Sequence, residues 1–241
     1  MKLQSIFVAS ALSVAVSSVA VAGDLSRGFL IEQGNVAKQG TASVDLGVNG
    51  GYFSGAARLG LGKAEVVLGE EKSDSANKSE VLVKLGMPAF QGLSEMKHGW
   101  AIYGGLSAAS FDSGAAKDAR HLNLIAGVAF TGQIDALEFT AAPELVINTN
   151  NQDDSGAYAN ESEVYVNLGL GGYFNLGKTQ YGSFKPGAEV LVTTQDGADS
   201  LFGAGVRWEF NDRVTIDALP VLIGGNDELA LPGQLRLNAK F

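Results

Sequence analysis

The stretch EVYVNLGLGGYF, residues 163–174, decides the fold of this chain. Its aliphatic residues recur at every second position and are Val164, Val166, Leu168 and Leu170. Such a period of two places one set of side chains on each face of a β-strand. The same alternation recurs in residues 42–48 and 201–210, whereas helical spacing is weak throughout. The chain is therefore predicted to be all-β.

Extending this pattern along the chain predicts twelve strands separated by turns rich in Gly, Asn, Asp and Ser. The predicted strands cover residues 42–49, 53–61, 64–71, 80–87, 99–108, 120–130, 134–147, 163–174, 183–194, 201–210, 213–222 and 232–241. Many have a length close to the about 9–11 residues that a tilted strand needs to cross a bilayer. Because 64–71 and 80–87 are short and Pro143 interrupts the seventh strand, ten strands are the alternative.

Composition excludes several classes of protein. The 241 residues carry a formal net charge of −9, whereas a nucleic-acid partner requires a basic surface, so no such partner is expected. The chain has no cysteine, which excludes a disulfide framework, a thiolate metal site and a cysteine nucleophile. An apolar content of 46% excludes a disordered polyanion.

The N-terminal residues differ from the rest of the chain. Lys2 precedes an apolar stretch that ends Ala20-Val21-Ala22, the small-x-small pattern of a secretory cleavage site. Residues 1–22 are therefore predicted to be a signal peptide that is cleaved after Ala22, which is favoured over an uncleaved membrane helix. Residues 23–41 alternate poorly and are interpreted either as a periplasmic lead or as a plug inside the barrel formed by residues 42–241.

A soluble β-sandwich or a lipocalin-like barrel would also show alternation. Loop lengths favour a membrane barrel, in which long outside loops alternate with short periplasmic turns. Counted back from the C-terminus, the predicted outside loops are 223–231, 195–200, 148–162, 109–119 and 72–79. The predicted periplasmic connections are 211–212, 175–182, 131–133, 88–98 and 62–63, of which 88–98 breaks the rule by its length.

Aromatic residues of the outward-facing set gather near the predicted periplasmic ends of the strands, where an interfacial girdle would lie. They are Trp100, Phe130, Phe139, Phe174, Phe184, Phe210 and Phe241. The last strand ends at Phe241, with Leu235, Leu237 and Ala239 in phase before it. In these features and its signal peptide, the sequence resembles the Gram-negative outer-membrane β-barrel class.

The resemblance implies an antiparallel transmembrane β-barrel of about twelve strands in the outer membrane of a Gram-negative bacterium. It also implies contact with outer-membrane lipid and lipopolysaccharide, and recognition of Phe241 by the barrel-assembly machinery. Small twelve-stranded monomeric porins for acidic sugars have a similar length but pores lined by basic residues. The inward charges described next therefore predict a different class of solute for this chain.

Residues that alternate with the outward-facing set are predicted to point inward and line the lumen. These candidates are Asp45, Arg58, Glu65, Glu80, Lys84, Tyr103, His121, Glu138, Glu163, Tyr165, Lys185, Glu189, Arg207, Glu209, Asp217, Arg236 and Lys240. Acidic residues outnumber basic ones, so an open lumen would favour cations over anions. Charges of both signs are equally compatible with a lumen closed by salt bridges. Inward glycines such as Gly60, Gly86 and Gly169 either leave space or permit curvature.

These observations predict a small pore or uptake channel for solutes or ions, with a weak cation preference. The alternative is a closed structural or surface-interaction barrel whose outside loops face the environment, and the third hypothesis is a lipid-modifying enzyme in the lumen or at the rim. His121, Asn123 and Ser107 could meet on one face, but the sequence around them lacks the motifs of barrel lipases. No catalytic residue, metal site or cofactor is predicted.

Overall fold

The computed structural model describes residues 27–49, 52–73, 76–90, 93, 96–111, 120–152, 163–195, 200–224, 228–229 and 234–241. The predicted signal peptide, residues 1–22, lies outside the described residues, as do residues 23–26. Within the described ranges, no helix is long and apolar enough to cross a membrane.

Twelve strands form one antiparallel barrel, and the prediction of twelve is confirmed whereas the alternative of ten is wrong. They are β1 (Ala42–Asn49), β2 (Tyr52–Gly60), β3 (Ala64–Ser73), β4 (Ala76–Gly86), β5 (Lys97–Phe111), β6 (Arg120–Ile134), β7 (Leu137–Gln152), β8 (Glu163–Phe174), β10 (Gly182–Thr193), β11 (Leu201–Glu209), β12 (Val214–Gly224) and β14 (Gln234–Lys240). The two-residue strands β9 (Lys178–Thr179) and β13 (Glu228–Leu229) extend two of the hairpins.

The sheet closes on itself because β14 pairs with both β1 and β12, and β12 also pairs with β11. In the seam, Leu46 of β1 lies opposite Leu237 of β14. Closure leaves no edge strand with unpaired backbone donors and acceptors. This explains why the last strand of the sequence must return to the first.

Alternation within each strand separates an apolar outside from a polar inside. In β14, Leu235 and Leu237 are exposed on the outside, while Gln234, Arg236 and Asn238 are buried. Exposed aliphatic residues recur on the outer face of the other strands and include Val48, Leu68, Val83, Ile102, Leu124, Val128, Leu145, Val166, Leu168 and Val192. An apolar belt that surrounds the molecule is far larger than the patches that soluble monomers expose.

The two ends of the barrel differ. At the turn end, where β1 begins and β14 ends, residues 61–63, 135–136 and 210–213 make short connections. The connection 87–96 is the long exception there, and its Pro88 carbonyl accepts a hydrogen bond of 2.7 Å from Trp100 Nε1. We call the opposite end the loop end.

Three expectations about strand limits are wrong. Residues 131–133 do not form a turn, because β6 continues to Ile134 and the turn lies at 135–136. Residues 72–79 do not form a long loop, because β3 and β4 extend through most of them and leave only 74–75 between. Pro143 does not end β7, which runs from Leu137 to Gln152. Pro143 lies on the exposed outer face opposite Leu168 of β8, and the ladder resumes on either side of it. A single missing donor is tolerated because the neighbouring pairs hold the strand in place.

Several of the aromatic residues singled out from the sequence make ring contacts near the turn end, either with one another or with Trp208. The rings of Phe130 and Phe139 lie 6.0 Å apart, and Phe184 stacks on Trp208 at 5.8 Å. Trp208 also meets Phe210 edge to face at 5.3 Å. These rings form part of a band on the outer surface at this end, a position typical of an interfacial girdle.

Candidate functional site

The structure places all the lumen-lining candidates on the inward phase of their strands. Ten of them are buried, namely Asp45, Arg58, Glu65, Lys84, Tyr103, Tyr165, Glu189, Arg207, Asp217 and Arg236. The others are half-buried and are Glu80, His121, Glu138, Glu163, Lys185, Glu209 and Lys240. The candidate functional site is therefore the lumen itself.

One group of ionised side chains surrounds Arg58 on β2. Its guanidinium lies 2.5 Å from Glu32, 2.7 Å from Glu65 and 3.4 Å from Asp45, measured between nitrogen and carboxylate oxygen. Lys84 on β4 lies 3.2 Å from the same Glu32 carboxylate. Burial alone would raise the pKa of Glu32, but the charges of Arg58 and Lys84 outweigh it and hold that pKa well below its usual range. Glu32 is therefore ionised at neutral pH.

A second group of ionised side chains lies on β7, β10, β11, β12 and β14. Arg207 donates two hydrogen bonds to the Asp217 carboxylate, at 2.8 and 2.9 Å, and the same carboxylate lies 3.8 Å from Arg236. Lys185 bridges Glu209 at 2.9 Å and Glu138 at 3.6 Å. Pairs of opposite charge thus connect neighbouring strands of the inner wall, and Lys185 on β10 also reaches past β8 to Glu138 on β7.

The N-terminal segment, which we define as residues 27–38, lies inside the barrel. At its tip the chain makes a tight turn in which Gly28 N donates to Ile31 O at 2.8 Å. The side chains of Phe29 and Ile31 are buried against the wall. Phe29 packs edge to face on Tyr173 at 4.9 Å, and Arg207 lies over the Phe29 ring at 5.5 Å.

Glu189 on β10 is the main polar anchor of this tip. Its carboxylate accepts backbone hydrogen bonds from Phe29 at 2.9 Å, Leu30 at 2.5 Å and Ile31 at 3.1 Å. It also accepts the hydroxyl hydrogen of Tyr173. From the other side, Arg236 donates to the carbonyls of Gly28 at 3.0 Å and Phe29 at 2.6 Å. Several charge-assisted hydrogen bonds therefore converge on one turn of chain.

The rest of the segment crosses the lumen towards the turn end, held by side chains of other strands. Gln33 donates to Glu138 at 2.9 Å, Gly34 N donates to Thr131 Oγ1 at 2.8 Å, and Ala37 N donates to Glu65 at 2.7 Å. With the contacts of the tip, the segment touches strands on every side of the barrel. In this conformation it occupies the lumen in the half nearer the turn end.

Inward glycines make room for the segment. A Cβ atom on Gly169 would lie 3.0 Å from Cβ of Ile31, and one on Gly86 would lie 2.8 Å from Val36. A Cβ on Gly60 would collide with the carbonyl of Lys38. At these positions, the inward glycines leave space for the N-terminal segment.

A cavity of about 590 Å³ lies on the loop-end side of the tip. Its acidic lining residues are Glu32, Glu70, Glu71, Glu80 and Glu144, and its basic ones are Arg27, Lys78 and Arg236. Apolar side chains from β10, β11 and β12 also line it, namely Leu191, Leu201 and Leu222. Acidic residues are in surplus in the cavity, as they are among the inward candidates.

Sequence reasoning did not single out Glu32 as a site residue, although it stands beside the apolar Leu30 and Ile31, where a charge suggests a partner. It also did not place Leu222 in the lumen. The ladder between β11 and β12 shifts register between Ala204 and Val206, which brings Leu222 opposite inward Gly203. A bulge of this kind reverses the phase of alternation beyond it.

The residues considered for catalysis pair differently from a hydrolytic triad. Asn123 Nδ2 donates to Ser107 Oγ at 3.2 Å, while Nδ1 of His121 lies 3.2 Å from Nδ2 of Asn148. Among the described residues, no three His, Asp or Glu side chains are grouped as a metal site would require.

A closed antiparallel barrel with an apolar outer belt and an ionised interior is the architecture of outer-membrane β-barrel proteins, and the chain has this fold. No protein-family model matches the sequence, and no curated protein matches it.

Among solved structures, the NanC porin is similar, with a TM-score of 0.52 at 8% sequence identity over 83% of this chain and 98% of that chain. The KdgM porin gives a TM-score of 0.47 at 11% identity, over 83% of this chain and 96% of that chain. The likeness to the NanC porin, at this level of sequence identity, concerns the fold alone.

Proposed function

We propose that this protein is an outer-membrane channel for small solutes or ions, with the barrel lumen as its path. The observation that carries the proposal is the charged lumen, with its cavity of about 590 Å³, inside a barrel whose outer surface is apolar. Twelve strands lie between eight, which side chains fill, and sixteen, which leave an open channel, so the interior suits small solutes. Export by the predicted signal peptide and contact with outer-membrane lipid and lipopolysaccharide belong to the same proposal.

The acidic surplus in the cavity supports a preference for cations. Negative side chains lining a narrow path attract cations and repel anions. Glu71 and Glu80 line the cavity, and Glu80 forms a salt bridge of 3.3 Å with Lys78. The resulting preference is expected to be weak because basic residues face the same space.

Recordings of the purified full-length protein in planar bilayers test this function. Stable single-channel steps are expected, with a reversal potential in a KCl gradient showing that K⁺ permeates more readily than Cl⁻. Replacing Glu71 and Glu80 together by glutamine should reduce this preference. The exposed turn residue Asp212 lies outside the cavity, so Asp212→Asn is the matched control and should leave selectivity unchanged. Anion selectivity of the wild-type channel would contradict the proposed preference for cations.

A closed structural or surface-interaction barrel is the second candidate function. It is favoured by one observation, the occupation of the lumen by the N-terminal segment between Arg58 on one side and Glu189 on the other. A closed barrel predicts silence in the same bilayer experiment, even in variants that weaken the hold on the segment. A lipid-modifying activity is the third hypothesis and has no geometric support in the described residues.

The C-terminus supports assembly of the barrel. Phe241 N donates to Ala42 O at 2.7 Å, and Ala42 N donates to Phe241 O at 3.1 Å, so this residue completes the seam. Deleting Phe241 is expected to remove most of the folded protein from the membrane fraction, because the seam and the signal for the assembly machinery are both lost. Heat-modifiable migration on gels measures the folded fraction. Phe241→Tyr keeps the backbone and the ring and should assemble normally; equal yields for the deletion would refute this role.

A further inference from the structure

We propose that the N-terminal segment, residues 27–38, is a releasable plug that closes and opens the channel. This inference rests on the proposed function and names the regulation of the same lumen. Three features of the segment carry it: contacts that leave the sheet intact, a base fastened to the wall, and a glycine-lined site for its tip.

The first feature is that the segment is docked in the barrel without being part of its wall. Backbone donors of the segment go to wall side chains, as from Gly34 to Thr131 and from Ala37 to Glu65, or stay within the segment, as from Gly28 to Ile31. The β-bridge of Arg27 joins it to Glu32, which also belongs to the segment. No strand of the described sheet has the segment as a ladder partner. Departure of the segment would therefore break no backbone pairing of the barrel. Water entering the polar lumen could satisfy the freed groups.

The second feature is a turn at the base of the segment, which is fastened to the wall next to β1. Gly40 has φ of +76°, a conformation that residues with a side chain rarely adopt, and a Cβ there would meet nothing within 4 Å. The chain is fastened at this turn, because Gly40 N donates to Gly60 O at 3.0 Å, Gly60 N donates to Thr41 O at 2.8 Å and Thr41 N donates to Lys38 O at 3.1 Å. Residues 27–37 can thus leave the lumen while this base keeps the chain attached to β1.

The third feature is a site that fits the tip closely. Ile31 lies against Gly169 on β8, and Leu30 lies against Gly203 on β11. A Cβ atom on Gly203 would be 3.2 Å from Cδ1 of Leu30. Glu189 and Arg236 hold the backbone of the same turn. A site built from side-chain hydrogen bonds and small residues defines one closed position. Release of the tip requires that water replace all of these side-chain hydrogen bonds.

A reversible covalent lock tests the plug in the full-length chain. The protein has no cysteine, so the double variant Ile31→Cys/Gly169→Cys carries one thiol pair only. The built Cβ of residue 169 lies 3.0 Å from that of residue 31, and disulfides have Cβ atoms about 3.8 Å apart, so a small adjustment permits the bond. Oxidation is expected to abolish channel openings in planar bilayers, and reduction is expected to restore them.

The matched control is a disulfide on the outer face of the barrel that also involves β8 but not the segment. Leu170→Cys/Val190→Cys places a registered pair of thiols on β8 and β10, away from the segment. Its redox state should leave conductance unchanged. Equal conductance of the oxidised and reduced Ile31/Gly169 variant would overturn the plug and leave the channel standing.

Labelling of the single variant Ile31→Cys separates the plug from the channel. A water-soluble maleimide should modify this thiol slowly in the folded protein, because release exposes a side chain that is 4% exposed when docked. Absence of labelling in protein that still migrates as folded would overturn the release of the segment, whatever the conductance. Labelling together with silence of every variant would overturn the proposed channel instead.

Discussion

Replacing Arg58 by methionine is expected to lower the free energy of unfolding by about 3–5 kcal/mol. Removing one partner of a buried ionic cluster leaves the opposite charges buried without compensation. The Arg58 side chain is 2% exposed and lies within 3.4 Å of three carboxylates, those of Glu32, Asp45 and Glu65. Methionine keeps much of the volume but neutralises none of the three charges. Lys84 still lies 3.2 Å from Glu32.

Denaturant unfolding in detergent micelles measures this loss, with tryptophan fluorescence and heat-modifiable migration as independent readouts. The matched control is Lys78→Met, which removes a cation from a pair with Glu80 in which the lysine side chain is 39% exposed. Exposed pairs contribute about 0–1 kcal/mol, so the control should unfold nearly as the wild type does. If the Lys78 variant were less stable than the Arg58 variant, the greater contribution expected of the buried Arg58 cluster would be refuted.

Leu237→Arg is expected to destabilise the barrel by about 2–4 kcal/mol, the cost of arginine on a lipid face near the bilayer midplane. Leu237 lies in the middle of β14, is 42% exposed on the outer face, and is flanked by Leu46 of β1 and Ile216 of β12. In the proposed outer-membrane location this surface contacts lipid, and a charge there cannot be paired or hydrated.

Folding into lipid vesicles, followed by heat-modifiable migration across a denaturant series, gives the measurement. Leu237→Met conserves the volume and the apolar character and should behave as the wild type. If Leu237→Arg were as stable as the wild type in vesicles, the outer belt would not face lipid. The proposed location in the membrane would then fail.

Much of the architecture could be predicted because alternation is a local property. Side chains two apart on a strand share a face, so the pattern in residues 163–174 predicted both the strand and its inward set. The strands 42–49 and 163–174 were predicted with their observed limits. The pattern failed where the backbone departs from regular pleating, as at the shifted register opposite Ala204, because a bulge leaves no mark in polarity.

The site was less accessible from the sequence because its contacts are distant along the chain. Phe29 meets Tyr173 and Glu189, which are 144 and 160 residues away. Polarity showed that Glu189 and Arg236 share the inward phase, but it could not show which partners they would find. Residues 23–41 were open to two interpretations for the same reason, since a short non-alternating stretch has no periodic signal of its own.

By itself, the sequence determined that this chain is a barrel of alternating strands, with an apolar outside and a charged inside. It also determined which side chains of the last strand point outward and which point into the lumen. These properties follow from the period of two and from the need to pair every strand edge. Tertiary structure alone decided that the lumen holds residues 27–38, that Gly169 leaves space for Ile31, and that Arg58 pairs with Glu32. Closing the barrel brings these residues together, and that proximity is absent from any local pattern.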